Sequence, residues 1–262
     1  MSMTLRHNLI GLTIAFVAIA GGAVWLNVRN QKEQQKPQPK APVSNESSPK
    51  EQPNTESFNK KLYSTTDPTS IWVVVNKKHP LNPKTHVPSE LSTPSVKLRL
   101  GSGEEQMKFR KLAQADLAGM FNAARADGVN LVFGSGYRSY ALQKQFYDGY
   151  VAKDGQDKAD TYSARPGYSE HQTGLAVDLT SPSGQCHLEI CWENTLEGKW
   201  IAANAYKYGF IMRYPPDTQD VTGYQYEPWH LRYVGKELSS EMHDQKVQTL
   251  EEFFEINGGT SY

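Results

Sequence analysis

The sequence predicts an α+β domain, an antiparallel sheet flanked by helices, standing behind an N-terminal transmembrane helix and a flexible tether. Three observations carry that expectation. Between residues 104 and 126 the apolar side chains Phe109, Leu112, Ala113, Leu117, Met120, Phe121 and Ala124 recur at helical spacing. Short segments rich in β-branched and aromatic residues cluster late in the chain in hairpin-like succession, which suits an antiparallel sheet. Residues 8–28 carry no charge over a length that matches the ~20 residues needed to cross a bilayer.

Residues 1–7 form a short N-terminal segment and 8–28 the anchor. Ala18, Ile19 and Ala20 resemble a small-residue cleavage site. The apolar run continues through Val24, Trp25 and Leu26, where a cleaved signal has usually ended, so an uncleaved anchor is expected. Arg6 precedes the run while Arg29, Lys32 and Lys36 follow it, so flanking charge does not set its orientation. Residues 29–58 are rich in Gln, Pro, Lys, Glu, Ser and Asn and almost empty of large apolar side chains. Such a segment buries too little to offset its ordering entropy and is expected to be a disordered linker. Residues 59–262 are expected to form one globular domain, and a chain 38% hydrophobic and 11% aromatic supplies a sizeable core.

Within that domain, residues 71–76 (IWVVVN) predict a strand leading into the proline-punctuated loop at 79–88. The helix over 104–126 stops at Gly128. Residues 131–133 predict a strand ending in a turn at Gly134, Ser135 and Gly136, after which Ser139 caps a helix running to about Lys153. Residues 175–179 alternate as a short strand, and Asn194 with Glu197 resembles a capping box for a helix through Tyr208. Strands are expected at 210–214 and 226–233, with a final helical stretch at 236–255 on the outside.

Lys plus Arg equals Asp plus Glu at 28 each, so no global field draws the chain to nucleic acid. Cys186 and Cys191 either close a small loop as a disulfide, contributing ~2 kcal/mol in an oxidising compartment, or stand as unlinked thiols in a surface loop. A structural zinc site on this pair lacks the further Cys/His pair it needs.

Two segments hold most of the informative chemistry, SEHQTGLAVD at 169–178 and EPWHLRY at 227–233. Each supplies imidazole and carboxylate. Hydrolytic zinc takes three protein ligands from His and Asp/Glu and keeps a fourth position for water, whose pKa falls to about 7. His171, Asp178 and His230 supply that set. On a strand, Val177 and Leu179 face away from Asp178, whose face carries the small residues Ala176 and Gly174 and so leaves room for metal and substrate. Glu227 and His230 lie close in a stretch that Pro228 keeps from being helical, so a bent chain must bring them together, with Glu227 as the general base. His79, His86, His187 and His243 are expected to be structural.

Tyr137, Arg138 and Ser139 with Gln143, the SxHxxGxAxD pattern at 169–178 and ExWHxRY at 227–233 together resemble the VanY-type D-alanyl-D-alanine carboxypeptidases. These are zinc peptidases related to lysostaphin-like enzymes and hedgehog-type domains. NKKHPLNP at 76–83, EGKW at 197–200 and YGFIMRYP at 208–215 extend the similarity from about Lys61 to the end. The resemblance implies a hedgehog/DD-peptidase-like fold, Zn2+ on His171, Asp178 and His230, and Glu227 as catalytic base. It also implies Arg138 as the anchor of the substrate's terminal carboxylate or developing oxyanion. Arginine's planar fork suits a carboxylate, and Ser169 and Gln143 would add hydrogen bonds.

The activity so implied is a D,D-carboxypeptidase trimming D-alanine from peptidoglycan stem peptides, single-pass in the cell membrane with its catalytic domain extracytoplasmic. Two other readings stand beside it: an L,D-carboxypeptidase acting on tetrapeptide stems, and a non-catalytic zinc-containing wall-binding domain, which the intact Glu227 disfavours. The sequence sets no oligomeric state.

Overall fold

A computed structural model describes residues 58–262, so the expected anchor at 8–28 and all but the last residue of the linker lie outside the described residues. No helix among the described residues is long and apolar enough to cross a membrane. The chain first forms a small antiparallel ribbon of β1 (Leu91–Ser92) and β2 (Phe109–Arg110), which leads directly into α1 (Lys111–Ala126). Then come β3 (Val132–Ser135), α2 (Tyr140–Asp154), α3 (Gln156–Tyr162), β4 (Ala176–Thr180) and α4 (Leu196–Asn204). The last part holds β5 (Phe210–Met212), α5 (Gln219–Thr222), β6 (His230–Tyr233), α6 (Lys236–Gln245) and α7 (Leu250–Phe254). The main sheet has the order β3-β4-β6-β5 with every pair antiparallel, in agreement with the expected α+β class.

The sheet's two faces follow the two-residue period of its strands. Phe133, Val177, Leu179, Leu231, Tyr233 and Phe210 share one cluster with Ala113, Leu117 and Met120 of α1. Burial of each large apolar side chain there stabilises the fold by about 1.5–3 kcal/mol. The alternate residues Asp178, His230 and Arg232 therefore face the other way, and the register sets Asp178 directly opposite His230.

Several expected elements differ in extent. Residues 71–76 form no strand. Trp72, Val73, Val74 and Val75 are buried, but Arg232 Nη2 donates to the carbonyls of Ile71 (3.1 Å) and Val73 (2.7 Å), and Trp72 Nε1 donates to the carbonyl of Val234 (2.9 Å). Their β-branched composition reports burial rather than pairing. The helix expected from 104 begins only at Lys111, because the amides of Arg110 and Lys111 are taken by the carbonyls of Gly174 and Glu90, both at 2.9 Å. Leu112, expected on its buried face, is exposed. The helix ends before Gly128, at φ +79°.

β3 runs through Gly134 and Ser135 instead of turning there, with a register shift against β4. A Cβ at Gly134 would stand 2.8 Å from the carbonyl oxygen of Asp178, so only glycine admits this approach. α2 starts as expected, with Ser139 Oγ accepting from the amide of Leu142. The cap of α4 is Thr195, not Asn194: its Oγ1 accepts from the amide of Gly198 at 2.9 Å, and residues 205–208 tighten into a 3₁₀ turn. The strands expected over 210–214 and 226–233 shrink to β5 and β6, because residues 226–229 form a turn closed by the amide of His230 on the carbonyl of Glu227. Lys246, at φ +58°, splits the expected last helix into α6 and α7. Cys186 and Cys191 are joined as a disulfide.

Candidate metal centre and active site

The three expected ligands meet on the polar face of the sheet. Asp178 projects from β4, His230 from the start of β6, and His171 from a 3₁₀ turn (Glu170–Thr173) that ends at Gly174 in the left-handed conformation, φ +67°. One ligand atom from each lies within 4.8 Å of the others. His171 Nε2 is 3.2 Å from Asp178 Oδ2, and His230 Nδ1 is 3.0 Å from Asp178 Oδ1. The other ring nitrogen of His171, Nδ1, faces the carbonyl oxygen of Gly136 at 2.7 Å, which assigns it the proton and leaves Nε2 free for a metal. Ser135 Oγ donates to Asp178 Oδ2 at 2.5 Å and fixes the carboxylate. Two buried imidazoles and one buried carboxylate, with His171 and Asp178 orientated by outer partners, fit a zinc ion with an open fourth position.

Burial opposes charge on Asp178, but the attraction and hydrogen bonds of His171 and His230 hold it well below the usual carboxylate range. Burial and the nearby Arg138 guanidinium lower His171 against the pull of Asp178, favouring the neutral ligand form. For His230 burial works against the proton, yet the hydrogen bond to Asp178 and the negative charge of Glu170 3.8 Å away push it up to about 9. Glu227 sits on the turn before β6, its Oε2 3.8 Å from His230 Nδ1, and burial pushes its carboxyl up to about 8. This is the range in which a carboxylate works as a general base at neutral pH.

A cleft of about 250 Å³ opens over these groups, lined also by Arg138, Gln143, Ser169, Tyr214, Leu188 and Trp229. Arg138 Nη1 donates to Gln143 Oε1 at 2.9 Å, and its Nη2 stands 3.9 Å from Asp178 Oδ2. Its buried Nε has no hydrogen-bond partner. Ser139, next in the chain, gives its amide to Glu105 Oε1 at 2.6 Å, which pins the start of α2 and with it Arg138. The Gln143 amide is committed at both ends, since its Nε2 donates to the carbonyl of Ala164 at 2.6 Å. Gln143 therefore holds the arginine while itself lining the cleft. Ser169 is buried beside the ligands and lines the cleft. His79, His86, His187 and His243 do not line it.

Sequence reasoning missed three contributors: Ser135, the carbonyl of Gly136, and Glu170. The last lies inside the quoted 169–178 motif but is neither solvated nor exposed. Its Oε1 accepts from Arg213 Nε at 2.8 Å and Arg232 Nη1 at 2.6 Å. A glutamate beside a candidate ligand, with arginines at 213 and 232, was the available signal.

A family model described as VanY, D-alanyl-D-alanine carboxypeptidase, matches residues 106–236. The Bacillus subtilis protein YodJ is 46% identical over 189 residues, which is 72% of this chain and 68% of that protein. Among solved structures, the LdcB LD-carboxypeptidase aligns with a TM-score of 0.68 at 45% identity, covering 73% of this chain and 89% of the other. A variant of the vancomycin-resistance D,D-pentapeptidase VanY in complex with Zn(II) aligns at 0.57 and 35% identity, covering 69% and 97%. With half of its length matched by the family model and a relative 46% identical across 72% of it, this chain belongs to the VanY family of D-alanyl-D-alanine carboxypeptidases.

Proposed function

We propose that this chain is a zinc-dependent carboxypeptidase that removes the C-terminal D-alanine of peptidoglycan stem peptides, with Zn2+ held by His171, Asp178 and His230. The observation that carries the reading is the convergence of those three ligand atoms within 4.8 Å under a cleft that also holds Arg138. Zinc bound there supplies a Lewis acid and a water whose pKa falls to about 7.

The chain's own residues supply the rest. Arg138, held by Gln143, pairs with the terminal carboxylate and so aligns the last peptide bond with the metal ligands. Glu227 takes a proton from the attacking water and returns it to the departing amine. It does so as a carboxylate, the form that a neighbouring divalent cation favours. Trp229 and Tyr214 wall the cleft and limit bulk water. We place the domain outside the membrane, tethered through 8–28. The uncharged run and the Cys186–Cys191 disulfide both support an exported, oxidising location.

The likeness to LdcB favours a second reading, cleavage of the L,D bond in tetrapeptide stems. Mass spectrometry of muropeptides incubated with the purified protein, with and without chelator, tests both. Chelator-sensitive loss of one D-alanine from pentapeptides is the expected result. Loss from tetrapeptides alone moves the assignment to the L,D bond, and binding without release leaves a wall-binding domain.

A further inference from the structure

Glu170 and His230 each keep one buried atom without a hydrogen-bond partner. Glu170 Oε1 serves both guanidinium groups, Arg213 Nε and Arg232 Nη1, whereas Oε2 has no such partner. His230 turns Nδ1 toward Asp178 and leaves Nε2 unmatched. These two unmatched atoms face each other across 3.8 Å, an ion-pair separation slightly too long for a hydrogen bond. Both side chains are fully or almost fully buried, so water from the cleft is a poor substitute partner. With both arginines on Oε1, Oε2 remains free to accept, and the unmatched ring nitrogen of His230 stands beside it.

We propose that Glu170 is a positioning residue for the metal site: its Oε2 accepts from the Nε2–H of His230 and thereby fixes the ring with Nδ1 as the ligand nitrogen. The arrangement is a carboxylate–histidine–metal relay, in which the outer carboxylate sets the tautomer and the orientation of the ring. Arg232 extends it by one further layer, whereas Arg213 braces the same carboxylate against the rest of the fold. Arg213 Nη1 and Nη2 bind Glu251 at 2.9 and 2.6 Å, and Arg232 Nη2 binds the carbonyls of Ile71 and Val73. The segment at 71–76, which forms no strand, thus reaches the metal ligand through two side chains. This inference rests on the metal reading above.

The test compares Glu170→Gln with Arg213→Lys in the full-length protein. A glutamine keeps its carbonyl oxygen on the arginines and so turns its NH2 toward His230 Nε2. A donor then meets a donor, the imidazole proton moves to Nδ1, and the ligand nitrogen is lost. Zinc affinity, measured by competition with a chromophoric chelator, is expected to fall by about 10–100-fold in Glu170→Gln. Arg213→Lys weakens the same network while leaving Glu170 over His230, and it is expected to lower the unfolding temperature with zinc affinity unchanged. Nitrogen-15 spectra of the zinc-loaded wild type are expected to show His230 metal-bound at Nδ1 and protonated at Nε2.

Wild-type zinc affinity in Glu170→Gln overturns the proposal, as does a fall matched in Arg213→Lys, which makes the effect purely structural. Coordination of zinc through Nε2 in the wild type overturns it even if Glu170→Gln does not fold. A wild type that binds no zinc overturns the metal reading as well, which separates the two failures.

Discussion

Around Arg213 every side-chain nitrogen has a partner, whereas around Asp178 two do not. Glu170 and Glu251 receive all three donating groups of Arg213, and Asn76 Nδ2 adds a bond to Glu251 Oε1 at 2.9 Å. A few ångströms away, His171, Asp178, His230, Glu227 and Arg138 are equally buried in part or whole, but they converge on a cleft and leave Arg138 Nε and His230 Nε2 unmatched. Low dielectric raises the stakes for both clusters. The first, apart from the Glu170 oxygen that faces His230, is satisfied within itself and specifies the fold. The second stays incomplete where a metal and a substrate complete it.

Breaking the open cluster should abolish function and leave the fold. Glu227→Gln is expected to slow D-alanine release by about 10²–10⁴-fold with zinc content unchanged. Because the carboxyl is pushed up to about 8 by burial, the neutral amide costs the fold nothing at pH 7, and the unfolding temperature should hold or rise. A variant within tenfold of wild type would remove Glu227 from the chemistry.

Breaking the closed cluster should do the reverse. Arg213→Met leaves the buried Glu251 without its cation and Glu170 with Arg232 alone, and is expected to cost about 3–5 kcal/mol in urea unfolding. A loss below about 1 kcal/mol would show that the cluster is not structural.

Two smaller effects sharpen the contrast. Arg138→Lys keeps the charge but loses the planar fork held by Gln143, so kcat/KM should fall roughly 10–100-fold, mainly through KM. An equal fall carried entirely by kcat would assign Arg138 to the oxyanion instead of the ground-state carboxylate.

The smallest effect is the slope with pH. His230, pushed up to about 9 without metal, must release its proton to become a ligand, so apparent zinc affinity should climb by up to about tenfold per pH unit toward pH 9. The same shift stabilises the metal-free fold below its ordinary value of 6.5, and that contribution is lost as pH rises through about 9. Glu227 acts in the same sense between 4.5 and about 8. Calorimetry should therefore show metal-free protein weakening from pH 6 to 9. A metal-free unfolding temperature that rises over that interval would contradict the assigned shifts.

What could be read from the sequence was the chemistry that residue types announce. His171, Asp178, His230 and Glu227 stood out because paired imidazoles and carboxylates in two short segments have few structural uses. Ser135 and the carbonyl of Gly136 were not legible, since they reach the ligands only through the register shift of β3 against β4. Glu170 was hidden for a different reason: the two arginines that bury it lie more than forty residues along the chain, and only the fold joins the three. Strand extents failed where composition speaks of burial alone, as at 71–76. The cap of α4 failed because Asn194 and Thr195 are both good caps and only the fold chooses between them.

The Cys186–Cys191 bridge closes a loop whose middle residue, Leu188, lines the cleft. A loop pinned at both ends by one covalent bond has little further entropy to surrender when a substrate packs against Leu188, so this stretch of the rim is preset before binding.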